Sequence, residues 1–175
     1  MDNEEKIVTS EVLYAGKILD LKLNTVELPN GELAKREIVK HRNGVGVLPV
    51  DGDTMLFVKQ YRSAIEDYLL EIPAGLMEGK ETPEMTGTRE LQEEIGLKPT
   101  ALIPCGKVWP TPGCCDEETF LFIATQLEHQ ALEADDDEFI EVVRLPIQTV
   151  RALYDKQYFT DAKTVCALGY YFSHS

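Results

Sequence analysis

The chain has 175 residues, 43% of them hydrophobic and 27% charged, a composition that suits one globular domain, with or without a small appendage, and excludes a mainly disordered chain. Lys and Arg total 17 against 31 Asp and Glu, a net charge of −14, which disfavours passive binding to nucleic acid or anionic lipid. Small phosphorylated ligands stay admissible, because a bound divalent cation reverses the local sign.

The opening MDNEEK is acidic where a secretory leader would be basic. The longest apolar run, Phe120 to Ala124, falls far short of the roughly 20 residues of a membrane helix. Cys105, Cys114, Cys115 and Cys166 form no C-x-x-C pair and have no histidine cluster beside them, so structural zinc is not expected. The expectation is a cytoplasmic protein with reduced thiols and no membrane or nucleic-acid partner.

Leu19, Leu21 and Leu23 alternate with polar residues, the period of a half-buried strand. Pro29-Asn30-Gly31 then turns the chain, and Glu32 to His41 reads as the returning strand. Further strands are expected over 45–50, 54–62 and 68–72. Pro73-Ala74-Gly75 breaks the pattern, and a loop is expected up to Thr82. Thr82 as N-cap and Pro83 in the first turn start a helix that should end near Ile95, with Gly96 as its stop. Met85, Thr88, Leu91 and Ile95 would form its buried stripe. Strands are expected over 106–109, 119–125 and 139–144, and helices over 146–154 and 161–172. Trp109 reads as a core residue, with stacking on a base as the alternative. Together these elements imply a mixed α/β domain, with residues 1–42 as a strand appendage and 43–175 as the main domain.

Chemistry concentrates in GLMEGKETPEMTGTRELQEEIGL, residues 75–97. Glu90, Glu93 and Glu94 share one helix face by their i, i+3, i+4 spacing. They also stand at the negative end of the helix dipole, so local energetics oppose them. A positive group should offset the crowding. Arg89 is one such group and a divalent metal is the other. The plainer alternative is a solvated acidic face paired with Arg89.

The segment follows the pattern G-x5-E-x7-R-E-U-x-E-E-x-G-U, where U is bulky and apolar. Gly75, Glu81, Arg89, Glu90, Leu91, Glu93, Glu94, Gly96 and Leu97 occupy all its fixed positions across 23 residues. This resembles the Nudix box. The resemblance implies a hydrolase of nucleoside diphosphate derivatives, with an α/β/α sandwich around a mixed sheet (α+β in layout) and an N-terminal antiparallel strand appendage. It implies Mg2+, or Mn2+ as the alternative, in two or three ions. Glu90, Glu93 and Glu94 would bind metal, joined by the Ala74 carbonyl, which a turn at Gly75 would present. Arg89 would orient a carboxylate and Glu81 would support the loop. The residue types suit the chemistry: Mg2+ takes a few carboxylates plus substrate phosphates, and it neutralises the diphosphate and acidifies a bound water.

Flanking segments add detail. NGELAKREIVKHRNGVGVLPV, VKQYRSAIEDYLLEIPAG, TPGCCDE, DDDEFIEV and TDAKTVCALGY resemble bacterial ADP-ribose pyrophosphatases over nearly the whole chain. Pro112, 15 residues past the box and followed by Gly113, is similar to the proline that marks that subgroup. The resemblance implies hydrolysis of ADP-ribose to AMP and ribose 5-phosphate by a homodimer that pairs through the N-terminal strands. Arg36 and Glu37 would lie at the adenine, where a guanidinium can stack on a base. Arg62 would contact phosphate or ribose, and its alternative is a surface strand-end arginine. Leu76 would offer backbone contacts, and Glu117 would belong to the substrate loop or be a solvated loop acid. The catalytic base is expected in the acidic run Asp135 to Glu138, with Glu138 preferred, also as a metal ligand, and Asp136 next.

The chain departs from the family pattern at Thr86-Gly87-Thr88, where small alanines are commoner, and looser helix packing is expected there. Cys114 and Cys115 stand in the substrate loop, where inert thiols are the plainer reading and an oxidation-sensitive pair the sharper one. Two competing functions stay open. One is a pyrophosphatase for another nucleotide sugar such as GDP-mannose. The other is an ADP-ribose sensor without catalysis, which would be expected to lack box glutamates.

Overall fold

A computed structural model describes residues 3–133 and 138–174. The chain divides into two compact units. The first comprises residues 1–43 and 109–118. It holds β1 (Lys6–Ala15), β2 (Leu19–Glu27) and β3 (Leu33–His41), an antiparallel sheet in the order β1-β2-β3. Pro29-Asn30-Gly31 makes the expected turn between β2 and β3, with Gly31 at φ 84° in the region only glycine enters cheaply. Loop 109–118 returns along β3: the Val39 N–H donates to the Cys114 carbonyl at 2.7 Å, and the Asp116 N–H donates to the Val39 carbonyl at 3.2 Å. Trp109 is not a core residue, since half of it is exposed at the start of this loop.

The second unit comprises residues 44–108 and 119–175. Its seven strands are β4 (Gly44–Asp51), β5 (Thr54–Arg62), β6 (Asp67–Glu71), β7 (Ala74–Leu76), β8 (Leu97–Val108), β9 (Thr119–His129) and β10 (Ile140–Pro146). The main path is β10-β5-β4-β9-β8, with β6 added to β5 and β7 to β4. Pairing of β4 with β9 is parallel and the rest is antiparallel, so the sheet is mixed. Three helices complete the unit: α1 (Pro83–Glu94), α2 (Ile147–Asp155) and α3 (Ala162–His174).

The period-2 alternation of strands assigns the two faces. Val45, Val47, Phe122 and Ala124 cluster with Leu91 of α1. Leu48, Leu121 and Ile123 cluster with Val150, Ala167 and Leu168 of α2 and α3. Strand β4 is covered on both faces, which explains why Val45 to Val50 reads as a continuous apolar run. The result is the expected α/β/α sandwich. Among the described residues no helix is long and apolar enough to cross a membrane.

Helix α1 begins and ends as its sequence dictates. Thr82 Oγ1 accepts from the Met85 N–H at 3.3 Å, Pro83 fills the first turn, and Gly96 stops the helix at φ 72°. Its buried stripe differs from the expectation. Met85 is exposed, and the buried residues are Thr86, Gly87, Glu90, Leu91, Gln92 and Glu94. A Cβ at Gly87 would stand 2.9 Å from Val47 Cγ2 and 3.2 Å from Val45 Cγ1. The missing side chain therefore lets the helix lie close on β4, and Thr86-Gly87-Thr88 marks tight packing rather than loose.

Candidate active site

The box residues converge in the second unit, where β7 and its loop meet α1. Position 75 lies in strand β7, paired with Val45 of β4, and is not a positive-φ turn glycine. Its lack of a side chain serves another purpose, making room for the Glu90 carboxylate, whose oxygens would collide with any Cβ there. Ala74, one residue earlier, donates its N–H to Glu94 Oε2 at 3.1 Å.

Arg89 is the hub of the loop. Its Nε meets Glu81 Oε1 at 3.0 Å, and its Nη1 meets Glu90 Oε1 at 2.7 Å and Glu93 Oε2 at 2.8 Å. Its Nη2 donates to the Leu76 carbonyl at 3.1 Å. Glu81 also accepts from Thr86 Oγ1 at 2.8 Å and from the Glu78 N–H at 3.1 Å. Chiefly through the Arg89 bonds, the Glu81 carboxyl is held down at about 2. Glu81 thus ties the loop to the helix, and Arg89 stays protonated despite its partial burial.

Glu90 and Glu94 are 7% and 9% exposed, so the solvated-face alternative does not describe them. Burial pushes the Glu94 carboxyl up to about 9, helped by the charges of Glu90 and Glu138. Burial also pushes Glu90 up to about 7, against the pull of Arg89. Two buried carboxylates side by side, of which only Glu90 meets the Arg89 guanidinium, itself shared with Glu81 and Glu93, form a site short of positive charge. Oxygen donors of this kind suit a hard divalent cation. Among the described residues no three His, Cys, Asp or Glu side chains stand together as a preformed cage.

Glu138 is exposed beside β10, and its charge reaches both Glu90 and Glu94. Asp136, the second choice of base, lies outside the described residues with Asp135 and Asp137. Arg62 ends β5 and bonds side-on to Glu71, Nε to Oε1 at 2.8 Å and Nη2 to Oε2 at 2.9 Å. It is therefore no free surface arginine.

The remaining candidates belong to the first unit. Arg36 pairs with Glu5 through Nε at 3.0 Å, and Glu37 is exposed on the same strand. Pro112 and Gly113 are exposed in loop 109–118. Glu117 Oε2 lies 3.4 Å from His41 Nδ1. Asp116 accepts from the His41 N–H at 3.0 Å and pairs with Lys40. Burial would raise the Asp116 carboxyl, yet these bonds hold it below the usual range.

Sequence reasoning missed a second polar group, in the second unit. Glu71 is 1% exposed and is shared by Arg62 and Lys163. Lys163 also meets Asp161 Oδ1 at 3.0 Å. The available signal was an acid inside the apolar run Tyr68-Leu69-Leu70-Glu71-Ile72, a position that demands a buried cation.

A family model described as the NUDIX domain matches residues 40–168. The ADP-ribose pyrophosphatase of Bacillus subtilis (strain 168) is 41% identical, with 95% of this chain and 92% of the relative covered. A methanol dehydrogenase activator of Bacillus methanolicus is 35% identical, with 95% and 92% covered. A solved structure of an ADP compounds hydrolase matches with a TM-score of 0.89 at 24% identity, covering 98% of this chain and 94% of that one, a likeness of fold.

Proposed function

The chain belongs to the Nudix hydrolase family, and on that premise we propose that it hydrolyses the diphosphate of ADP-ribose to AMP and ribose 5-phosphate with Mg2+. The observation that carries this reading is the buried Glu90 and Glu94 pair, short of positive charge and spared a side chain at Gly75. The choice of ADP-ribose is supported by the relative that bears that name and matches along nearly the whole chain.

Glu90, Glu93, Glu94 and the Ala74 carbonyl would hold Mg2+, with Glu138 completing the set. When bound, the metal supplies charge neutralisation of the diphosphate and acidification of a water. Arg89 orients Glu90 and Glu93 through its 2.7 and 2.8 Å contacts. Arg62 binds a phosphate oxygen, and Leu76 adds a backbone contact. Arg36 and Glu37 hold the adenine, while Pro112, Gly113 and Glu117 shape the substrate loop. Glu138 accepts the proton as water attacks one phosphorus and the bridging P–O bond breaks. A homodimer formed through residues 1–42 completes the reading. It is supported by β1, an edge strand on which Ile7, Val8, Val12, Leu13 and Tyr14 are all exposed.

The test is a panel of nucleoside diphosphate derivatives with Mg2+, GDP-mannose included, with products identified. ADP-ribose should lead in kcat/KM and yield AMP and ribose 5-phosphate. A lead for another base overturns the substrate assignment. Tight ADP-ribose binding without turnover favours the sensor.

A further inference from the structure

We propose that Glu71 and Lys163 form a positioning pair for this same site, fixing the Arg62 guanidinium side-on so that its Nη1 edge faces the substrate diphosphate. The inference rests on the reading of Arg62 as the diphosphate contact.

Glu71 is 1% exposed, and a buried carboxylate persists only when paired on all sides. Two cations clasp it. Arg62 gives Nε and Nη2, at 2.8 and 2.9 Å, a bidentate arrangement of high directional specificity. This use of Nε and Nη2 leaves Nη1 outside the clasp, on a side chain 39% exposed. Lys163 Nζ bonds the same carboxylate at Oε2, the oxygen that also takes Arg62 Nη2. Its stem crosses the open position at Gly46, where a Cβ would stand 3.4 Å from Lys163 Cδ.

Helix α3 anchors the lysine. Asp161 caps its first turn: Oδ2 accepts from the Thr164 N–H at 3.0 Å and from Thr164 Oγ1 at 2.6 Å, while Oδ1 receives Lys163. Buried Thr164 in turn accepts the Ile72 N–H at 2.9 Å. Two residues on, the Ala74 N–H holds Glu94 at 3.1 Å. The segment Glu71 to Ala74 is thus fixed to α3 at one end and to the box helix at the other.

An arginine left free at a rim would lose rotamer entropy each time it bound phosphate. The Glu71 and Lys163 clasp removes that loss beforehand, so the pair acts on substrate binding more than on bond breaking. Neither residue touches the reacting atoms.

Steady-state kinetics of Lys163→Met, Lys163→Arg, Arg62→Ala and the Arg62→Ala/Lys163→Met double variant test the proposal. The substrate is whichever panel member the wild type turns over fastest, so a wrong substrate assignment shows in the panel and leaves this comparison intact. Lys163→Met should raise KM about tenfold, the worth of one charge-assisted hydrogen bond, and change kcat by less than about threefold. Lys163→Arg should recover most of that KM, and the double variant should be no worse than Arg62→Ala alone. An unchanged KM in Lys163→Met, or losses that multiply in the double variant, overturns the proposal. Should Lys163→Met fail to fold, Glu71→Gln keeps the volume of the site and carries the same expected and contrary results.

Discussion

A Cβ at position 75 would stand 2.5 Å from Glu90 Oε2 and closer still to Oε1 and Cδ. The obstacle is the tip of a flexible side chain, which can swing aside at little cost to the fold. Gly75→Ala should therefore keep its secondary structure and most of its thermal stability. It should lose at least about 100-fold in kcat, because a displaced carboxylate can no longer serve the reacting geometry. Circular dichroism beside a rate assay checks this. Full activity would show that the Glu90 position does not matter.

Metal-free protein should lose stability as pH rises from about 4.5 toward 9. Glu94 and Glu90 are pushed up from an ordinary 4.5 to about 9 and about 7. The fold then retains protons that the unfolded chain releases above its own pKa, so the unfolded state gains with rising pH. The stabilising contribution is complete below about 4.5 and gone once pH passes the folded values. Mg2+ should reverse the loss, and Glu94→Gln should flatten the pH profile. Thermal midpoints across pH, with and without Mg2+, measure both. A profile identical for wild type and Glu94→Gln contradicts the assignment.

Much of this site was readable in advance, for a local reason. The box lies within one helix and its loop, so fixed spacing implies shared geometry. The Thr82 cap, the Gly96 stop and the Arg89 pairing all follow from neighbours a few residues apart. What stayed hidden depends on distant partners. Glu71 and Lys163 are 92 residues apart, and no local pattern joins them. Strand β1 was missed because all ten of its residues are exposed, which leaves no alternation to detect. Only the end of β8 was expected, because Pro99, Pro104 and Gly106 interrupt it. The strand tolerates them as the edge of its sheet, with a bulge between Pro104 and Gly106. The buried stripe of α1 was misjudged because apolar residues were sought where a glycine makes the contact.

Glu138→Gln should reduce kcat far more than KM, by about 100-fold or more, as loss of a general base does. Its charge already reaches Glu90 and Glu94. Pre-steady-state rates would separate chemistry from product release. An unchanged kcat would move the base elsewhere.

Gly87→Leu should destabilise the fold by about 1–3 kcal/mol, the usual cost of overpacking. The added side chain would press on Val45 and Val47 of β4. Urea unfolding of this variant, read against wild type, gives the value. A neutral result would mean the helix can move away from the sheet.

If the buried box carboxylates bring a divalent cation to the diphosphate of ADP-ribose, turnover must depend on that cation and on Glu94. The most direct measurement is the rate of AMP release from ADP-ribose by metal-stripped protein as Mg2+ is added back, for wild type and Glu94→Gln. Metal-stripped protein should show no turnover, the wild type should recover saturably with Mg2+, and the variant should lose at least about 1,000-fold. Equal rates in the two proteins, or turnover that ignores Mg2+, would contradict it.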